Sequence, residues 1–263
     1  MDPLTILAAL AAGALIGLVL GLVGGGGSIL AVPLLVYFVG VGSPHAAIGT
    51  AAVAVALNAA AALTGHARAG NVKWPCALVF AGAGIAGALI GAEAGKALDG
   101  DKLLALFGGL MIAVGAAMLR RRVASENPDV RLNRASAGHL LPRLIPAGLG
   151  VGLLAGFFGI GGGFLIVPAL LGATAMPLGV AVGTSLVVVA ALGATTAGSY
   201  AVSGYVDWPL VALLALGGIG GTVPGQWAGR RLAARKRLLN TGFALLVIGI
   251  GGYVVMEGLA RLA

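Results

Sequence analysis

Two glycine runs, each in the middle of a strongly apolar stretch, carry the main chemical signal of this sequence. The first run with the residue after it is Gly24, Gly25, Gly26, Gly27 and Ser28; the second is Gly161, Gly162, Gly163 and Phe164. Contiguous glycines break a helix, and a helix that starts after the break has backbone N–H groups without intrahelical partners. Such groups bind anions, because the donors converge and the helix dipole is positive at that end. The runs therefore predict an anion site built from backbone.

Polar side chains in two further apolar segments are predicted to complete the coordination of the anion. They are Thr50 and Asn58 in the first half of the chain, and Thr184 and Ser185 in the second. Serine and threonine inside a membrane helix commonly hydrogen-bond their own helix, whereas Asn58 is costlier to bury and is expected to face a cavity or a partner. Ser185 as the nucleophile of a hydrolase is disfavoured, since no histidine or aspartate lies at a matching depth to act as its base.

Composition restricts the class of protein. The chain has 263 residues, of which 59% are hydrophobic and 9% charged, against about 25% charged in soluble domains. It is therefore expected to cross the lipid bilayer several times. The net charge is +8, and the basic residues lie in short loops beside apolar segments, where they set the membrane topology. The positive charge therefore does not indicate a nucleic-acid-binding protein. A single cysteine allows neither a disulfide nor a multi-cysteine metal site, and we expect no metal or cofactor.

The sequence contains an internal repeat. GLVGGGGSILAVP (21–33) returns as GFFGIGGGFLIVP (156–168), 135 residues later, and GNVKWP (70–75) returns as GYVDWP (204–209), 134 residues later. AIGT and AVGT match between these blocks, and two ladders of spaced glycines, predicted to pack helices, follow them. The pattern predicts repeat 1 over 1–122, an Arg-rich linker over 123–143 and repeat 2 over 144–263.

The first apolar stretch of each repeat is too long for one crossing. Residues 4–39 would make a helix of about 54 Å, against a hydrocarbon core of roughly 30 Å, so we expect a re-entrant hairpin that folds back at the glycines. Each repeat then has about five helical elements and the repeats are inverted. The inversion puts 13 of the 16 basic residues on the cytoplasmic side, as the positive-inside rule requires. A single crossing would put the basic loop 230–237 outside.

The predicted fold is an all-α polytopic membrane protein of two inverted repeats, with both termini periplasmic and residues 120–143 cytoplasmic. Inverted repeats with broken helices are the common plan of secondary transporters, whose sites lie near the midplane. No carboxylate or basic residue lies mid-span, and Glu93 near a segment end is the nearest, which disfavours an ammonium substrate.

The paired glycine motifs, the AIGT and AVGT blocks and the glycine ladders resemble those of the sulfite exporter TauE/SafE family over nearly the whole chain. The resemblance implies a transporter, not an enzyme, that moves sulfite, a sulfonate or a related small anion across the bacterial inner membrane. Thr50-Ala51 stands where the second half has Thr184-Ser185, so the two half-sites differ. A passive anion channel is the alternative. The substrate itself, the direction of transport, the coupling ion and the oligomeric state stay open.

Overall fold

The computed structural model describes residues 2–23, 25–120, 130, 132–232 and 236–262, and this part of the chain contains helices and no strand. The long helices of the first half are α1 (Pro3–Val23), α3 (Pro44–Arg68), α4 (Trp74–Lys96) and α5 (Gly100–Arg120). Those of the second half are α6 (Arg134–Phe158), α8 (Leu178–Val202), α9 (Trp208–Leu232) and α10 (Lys236–Leu262).

Each half also contains one short helix that begins within its glycine run. The first half-helix, residues 25–39, consists of a 3₁₀ segment (Gly25–Leu30), α2 (Ala31–Pro33) and a π-helical segment (Leu34–Val39). The second half-helix is α7 (Gly163–Thr174). Eight helices of the described chain are long and apolar enough to cross a membrane, and these two are shorter. The prediction of an all-α polytopic membrane protein is confirmed.

The chain folds back on itself at both glycine runs. A Cβ on Gly27 would lie 2.6 Å from the carbonyl oxygen of Ile16, and a Cβ on Gly162 would lie 2.7 Å from the Cβ of Ala155. Each half-helix thus starts in close contact with the long helix that precedes it, and only glycine permits this approach. The predicted break of the first apolar stretch of each half is confirmed. Gly24 falls outside the described residues.

The two halves pack mainly against each other and not within themselves. α1 packs on α9 and α4 packs on α6, while α3 and α5 pack on their counterparts α8 and α10. The glycine ladders make the first two contacts. Gly87 and Gly91 of α4 pack against α6, and Gly221 and Gly225 of α9 pack against α1. In each case the glycine meets a backbone carbonyl of the facing helix. The predicted packing role of the ladders is confirmed.

Helices α3 and α8, which hold equivalent places in the repeat, run antiparallel. Gly49, near the start of α3, lies against Tyr200 near the end of α8, and Gly183, near the start of α8, lies against His66 near the end of α3. Antiparallel packing of equivalent helices is what an inverted repeat requires. The inversion across a bilayer stays a prediction, which these contacts support.

The loops gather at two ends of the bundle with different charge. One end, here called the acidic end, holds the joins 40–43, 97–99 and 203–207: Gly100 packs on Pro44, and the Tyr205 carbonyl packs on Gly49. It carries Asp99, Asp101 and Asp207, together with Lys96 and Lys102. The opposite or basic end holds the join 69–73, packed on Gly183, and carries Arg68 and Lys73.

The predicted linker is shorter in the structure than in the sequence analysis. α6 begins at Arg134, so residues 134–143 are helical. The start is fixed by a capping box, in which the Asn133 side chain accepts from the Ser136 N–H and the Ser136 hydroxyl accepts from the Asn133 N–H. Such reciprocal capping satisfies two backbone donors at a helix start. Residues 121–129 and 131 lie outside the described residues.

Candidate functional site

The second half-helix begins in a conformation that suits glycine and exposes its first N–H groups. Gly162, the N-cap of α7, has φ 68° and ψ 4°, in the left-handed region. The N–H groups of Leu165 and Ile166 donate to the Gly162 carbonyl oxygen at 2.9 and 3.1 Å. The N–H groups of Gly163 and Phe164 precede these first intrahelical bonds and belong to the unpaired set at a helix start. The N-terminal geometry of α7 therefore suits an anion.

The two half-helices meet at the centre of the bundle. The 3₁₀ segment of the first half-helix packs against α7. A Cβ on Gly161 would lie 3.4 Å from Gly193 Cα of α8 and 3.6 Å from Val55 Cγ1 of α3, so this glycine sits where α3 and α8 cross. The described glycine-run residues for which burial is given are all buried, namely Gly26, Gly27, Ser28, Gly161, Gly162, Gly163 and Phe164. Both glycine runs therefore lie in the buried interior, and the elements that contain them are in contact; that they hold one anion together stays a prediction.

Asn58 lies at about the same level of the bundle as Val55 and Gly161. It is three residues from Val55, which places the two on neighbouring positions of α3. Its side chain is fully buried and packs on Gly218 of α9. Its Nδ2 donates a long hydrogen bond of 3.5 Å to the Leu214 carbonyl oxygen of the same helix. Its Oδ1 has no hydrogen-bond partner among the described residues. Asn58 therefore has hydrogen-bonding capacity that the helices around it do not use.

Thr50 and Thr184 do not converge on the glycine runs. The Thr50 hydroxyl accepts from the Asp207 N–H, and the Thr184 hydroxyl accepts from the Lys73 N–H, both at 3.0 Å. Thr50 is about 8 Å along α3 from Val55 toward the acidic end, and Thr184 is about 13 Å along α8 from Gly193 toward the basic end, at 1.5 Å per residue. One small anion cannot contact both. Each threonine instead joins one half of the chain to the other.

Ser185 lies beside Thr184, away from the glycine runs. Its hydroxyl donates to the Val182 carbonyl oxygen of its own helix at 2.7 Å. Serine in a membrane helix commonly makes this bond. The Ser185 hydroxyl is therefore bonded within its own helix.

Three groups that the sequence analysis did not place in the site are buried without a partner. They are the hydroxyls of Thr196 and Tyr200 and the Nδ1 of His45, none of which has a hydrogen-bond partner in the described part of the chain. The sequence signal was the four-residue spacing of Thr196 and Tyr200 on α8. Spacing reveals a shared face but not whether a hydroxyl on that face is paired.

The site is closed to the surface and carries no charge. Within the described residues, the buried polar side chains are all uncharged: Ser28, Thr50, Asn58, Thr174, Thr184, Ser185, Thr196 and Thr222. No group of three or more His, Cys, Asp or Glu side chains in the described part could hold a metal ion. Two open grooves lie along α1, one beside Phe38 and one beside Pro224, and contain none of the predicted site residues. An anion therefore reaches the glycine runs only if helices move.

In the described part of the chain, eight membrane-length helices and two short helices that start at glycine breaks define a polytopic membrane protein, and the family match makes it a membrane transporter. The chain belongs to the sulfite exporter TauE/SafE family, whose model matches residues 9–254.

Named relatives agree with this class. A "probable membrane transporter protein" of Xylella fastidiosa (strain Temecula1) is 44% identical over 258 residues, covering 98% of both chains. The probable membrane transporter protein YunE of Bacillus subtilis is 29% identical, covering 94% of this chain and 96% of its own. MJ0441 of Methanocaldococcus jannaschii, another probable membrane transporter protein, is 30% identical over 78% of this chain and 79% of its own. No solved structure matches the chain significantly.

Proposed function

We propose that the protein is a secondary transporter of a small sulfur-containing anion, such as sulfite or an organosulfonate. One observation carries the proposal: two half-helices that begin at glycine runs meet inside the bundle, where the polar side chains around them are buried and uncharged. The description of the family as sulfite exporters supports the substrate class.

The anion is held by neutral donors. Backbone N–H groups around Gly26, Gly27 and Ser28, and around Gly162, Gly163 and Phe164, point along two helix dipoles whose positive ends favour negative charge. Each hydrogen bond to a charged group contributes about 1.5–3 kcal/mol, so two or three bonds stabilise the bound anion. Without a lysine or arginine in contact, the same anion can leave again, which a carrier requires.

Access alternates between the two ends of the bundle. The glycine runs are buried, and a threonine contact closes each end: Thr50 to Asp207 at the acidic end, and Thr184 to Lys73 at the basic end. In the inverted arrangement these contacts are equivalent, so each opens in turn as one repeat moves against the other. The acidic end faces the periplasm of a bacterial inner membrane, with both termini, and the basic end faces the cytoplasm, in accordance with the positive-inside rule.

Counterflow in proteoliposomes tests the mechanism. Vesicles loaded with unlabelled sulfite should accumulate external ³⁵S-sulfite transiently, and the rate should saturate with concentration. Protein-free vesicles are the control. Linear uptake without counterflow would instead identify the alternative, a passive anion channel. A thermal-shift screen with sulfite, sulfate, sulfonates and carboxylates identifies the ligand class, because a ligand that binds the native state stabilises it.

Asn58→Leu tests the site itself. The equivalent residue in the second half is Leu192, which packs against Gly84 as Asn58 packs against Gly218, so leucine fits this environment. We expect sulfite affinity to fall roughly tenfold, the value of one donor to a charged group, with the melting temperature unchanged or raised. Binding equal to that of the parent would remove Asn58 from the site.

A further inference from the structure

A column of polar side chains leads from the glycine runs to the acidic end of the bundle. It starts on α8 beyond Gly193, which touches the Gly161 region, and continues through Thr196 and Tyr200. Residues three and four apart on a helix are neighbours on its surface, so these three positions share one face. That face meets α3, because Gly193 lies against Ala56 and Tyr200 lies against Gly49.

The structure does not explain why the two hydroxyls of the column are buried without hydrogen-bond partners. Thr196 and Tyr200 are 0% exposed, and neither hydroxyl has a hydrogen-bond partner among the described residues. Burying an unpaired hydroxyl opposes folding. The adjacent Thr195 shows the usual solution, since its hydroxyl donates to the Ala191 carbonyl oxygen at 2.9 Å. Unpaired buried polar groups in a native structure call for another role.

Aromatic and basic groups continue the column to the surface. The His45 ring lies 6.4 Å from the Tyr200 ring and 5.5 Å from the Tyr205 ring, and His45 Nδ1 is also buried without a partner in the described chain. Beyond them, the Lys96 ammonium lies 6.0 Å from the Tyr200 ring centroid. Its side chain is 15% exposed and pairs with the Glu93 carboxylate at 2.7 Å. The column therefore ends beside the Lys96–Glu93 ion pair, whose ammonium also donates to the Ser203 hydroxyl at 3.0 Å.

The basic end has no such column. The equivalent of Thr196 is Ala62, the equivalent of Tyr200 is His66, and the equivalent of His45 is Gly179. The feature therefore does not follow from the repeat or from the packing that the repeat imposes. It is a property of one half of the path alone.

We propose that Thr196, Tyr200 and His45 form an outer anion site, between the glycine runs and the acidic end, that takes the transported small oxyanion on its way through the bundle. The inference rests on the proposed function, because it assigns a second resting place to the same substrate. Hydroxyl and imidazole N–H groups supply the donors, and the ligand takes up the hydrogen-bonding capacity that the helices leave unused. The Lys96–Glu93 pair marks the mouth of this path.

Thr196→Val and Tyr200→Phe test the outer site, since each removes only a hydroxyl. Their matched controls are Thr195→Val, the neighbouring threonine with a paired hydroxyl, and Tyr253→Phe on α10, which is 52% exposed and packs on Tyr37. ³⁵S-sulfite counterflow and melting temperature are measured for the parent and all four variants. We expect counterflow to fall roughly tenfold in each test variant, the effect of one lost donor to an anion, while its melting temperature equals or exceeds that of the parent. Both controls should transport within about twofold of the parent, because they leave the anion's donors intact.

The outcomes separate this inference from the function on which it rests. A parent that transports sulfite while Thr196→Val and Tyr200→Phe match it overturns the outer site alone. Variants that lose transport and also melt below the parent overturn it too, because their hydroxyls would then be structural. A parent that neither binds nor exchanges sulfite, sulfate, sulfonates or carboxylates overturns the proposed function and the outer site together.

Discussion

At the scale of single residues, Thr50 and Thr184 show how one motif position serves both halves. Each hydroxyl accepts from the backbone at the start of a helix in the opposite half, at Asp207 before α9 and at Lys73 before α4. The Asp207 carboxylate also accepts from the Leu210 N–H, as a good N-cap does. Lys73, the N-cap of α4, makes no side-chain cap hydrogen bond, and lysine is a poor choice beside the positive end of a helix. The Thr184 hydroxyl satisfies the N–H of Lys73 itself, and the proposed cytoplasmic position of this loop accounts for the lysine.

We predict that Thr50→Val and Thr184→Val lower the free energy of unfolding by similar amounts, about 1–2 kcal/mol each, because each strands a backbone N–H at a helix start. Thermal or denaturant unfolding in detergent measures the loss. Thr195→Val is the control and should change stability by less than about 0.5 kcal/mol. If only one threonine variant were destabilised, the two contacts would not be equivalent and the reciprocal packing would lose its support.

The sequence could predict that these threonines are buried, but not what they bind. Their partners are 157 and 111 residues away along the chain, and the relevant donor is a backbone group that any residue would offer. The glycine runs were easier to interpret, because contiguous glycines have a local effect on the helix that contains them. Tyr200 and His45 were missed for the same reason as the threonine contacts: whether a hydroxyl or an imidazole is paired depends on distant helices.

At the scale of helices, the glycines of this chain have two structural roles. Those of the ladders let α4 approach α6, and α9 approach α1, until the backbones of the two helices are in contact. Gly27 and Gly162 also pack closely, each against the preceding long helix, so the anion-site glycines belong to the packed core as well. The sequence predicted both breaks and both ladders, since length and spacing suffice for that. It did not predict that α6 begins at Arg134, because residues 134–143 include two arginines, a glycine and a proline and continue the polar composition of the preceding segment.

We predict opposite results for two substitutions on the same helix, Gly91→Leu and Gly82→Leu. A Cβ on Gly91 would meet the Leu153 backbone of α6 and would lie 2.8 Å from the Phe157 nitrogen, whereas Gly82 has nothing within 4 Å. Leucine at 91 should therefore separate α4 from α6 and destabilise the protein by about 3 kcal/mol or more. Leucine at 82 faces lipid and should be tolerated.

The monodisperse fraction on size exclusion after detergent extraction, together with the melting temperature, distinguishes the two variants. Equal behaviour of both would show that the ladder glycines do not hold the helices together. The comparison holds hydrophobicity and helix propensity constant, because both positions lie within α4 and receive the same side chain.

At the scale of the whole molecule, reciprocal contacts tie the two halves into one body. α1 of the first half lies on α9 of the second, and α6 of the second lies on α4 of the first, so neither half buries its apolar faces alone. The same exchange places equivalent loops at opposite ends, with the charge asymmetry that the positive-inside rule uses. The repeat, the segment lengths and the charges of the sequence predict this arrangement, and the antiparallel packing of α3 and α8 supports it.

The final prediction concerns which end of the bundle faces which side of the membrane. Val202 is 92% exposed at the acidic end, and Ala69 is exposed at the basic end. Each is changed to cysteine in a Cys76→Ala background, because Cys76 is the only native cysteine and is buried. A membrane-impermeant maleimide should label Val202→Cys in intact spheroplasts, and should label Ala69→Cys only after permeabilisation. These positions are nearly equivalent in the two repeats, since 69 corresponds to 203. Repeats of the same orientation would therefore label from the same side, and that outcome would contradict both the inverted topology and the alternating access that depends on it.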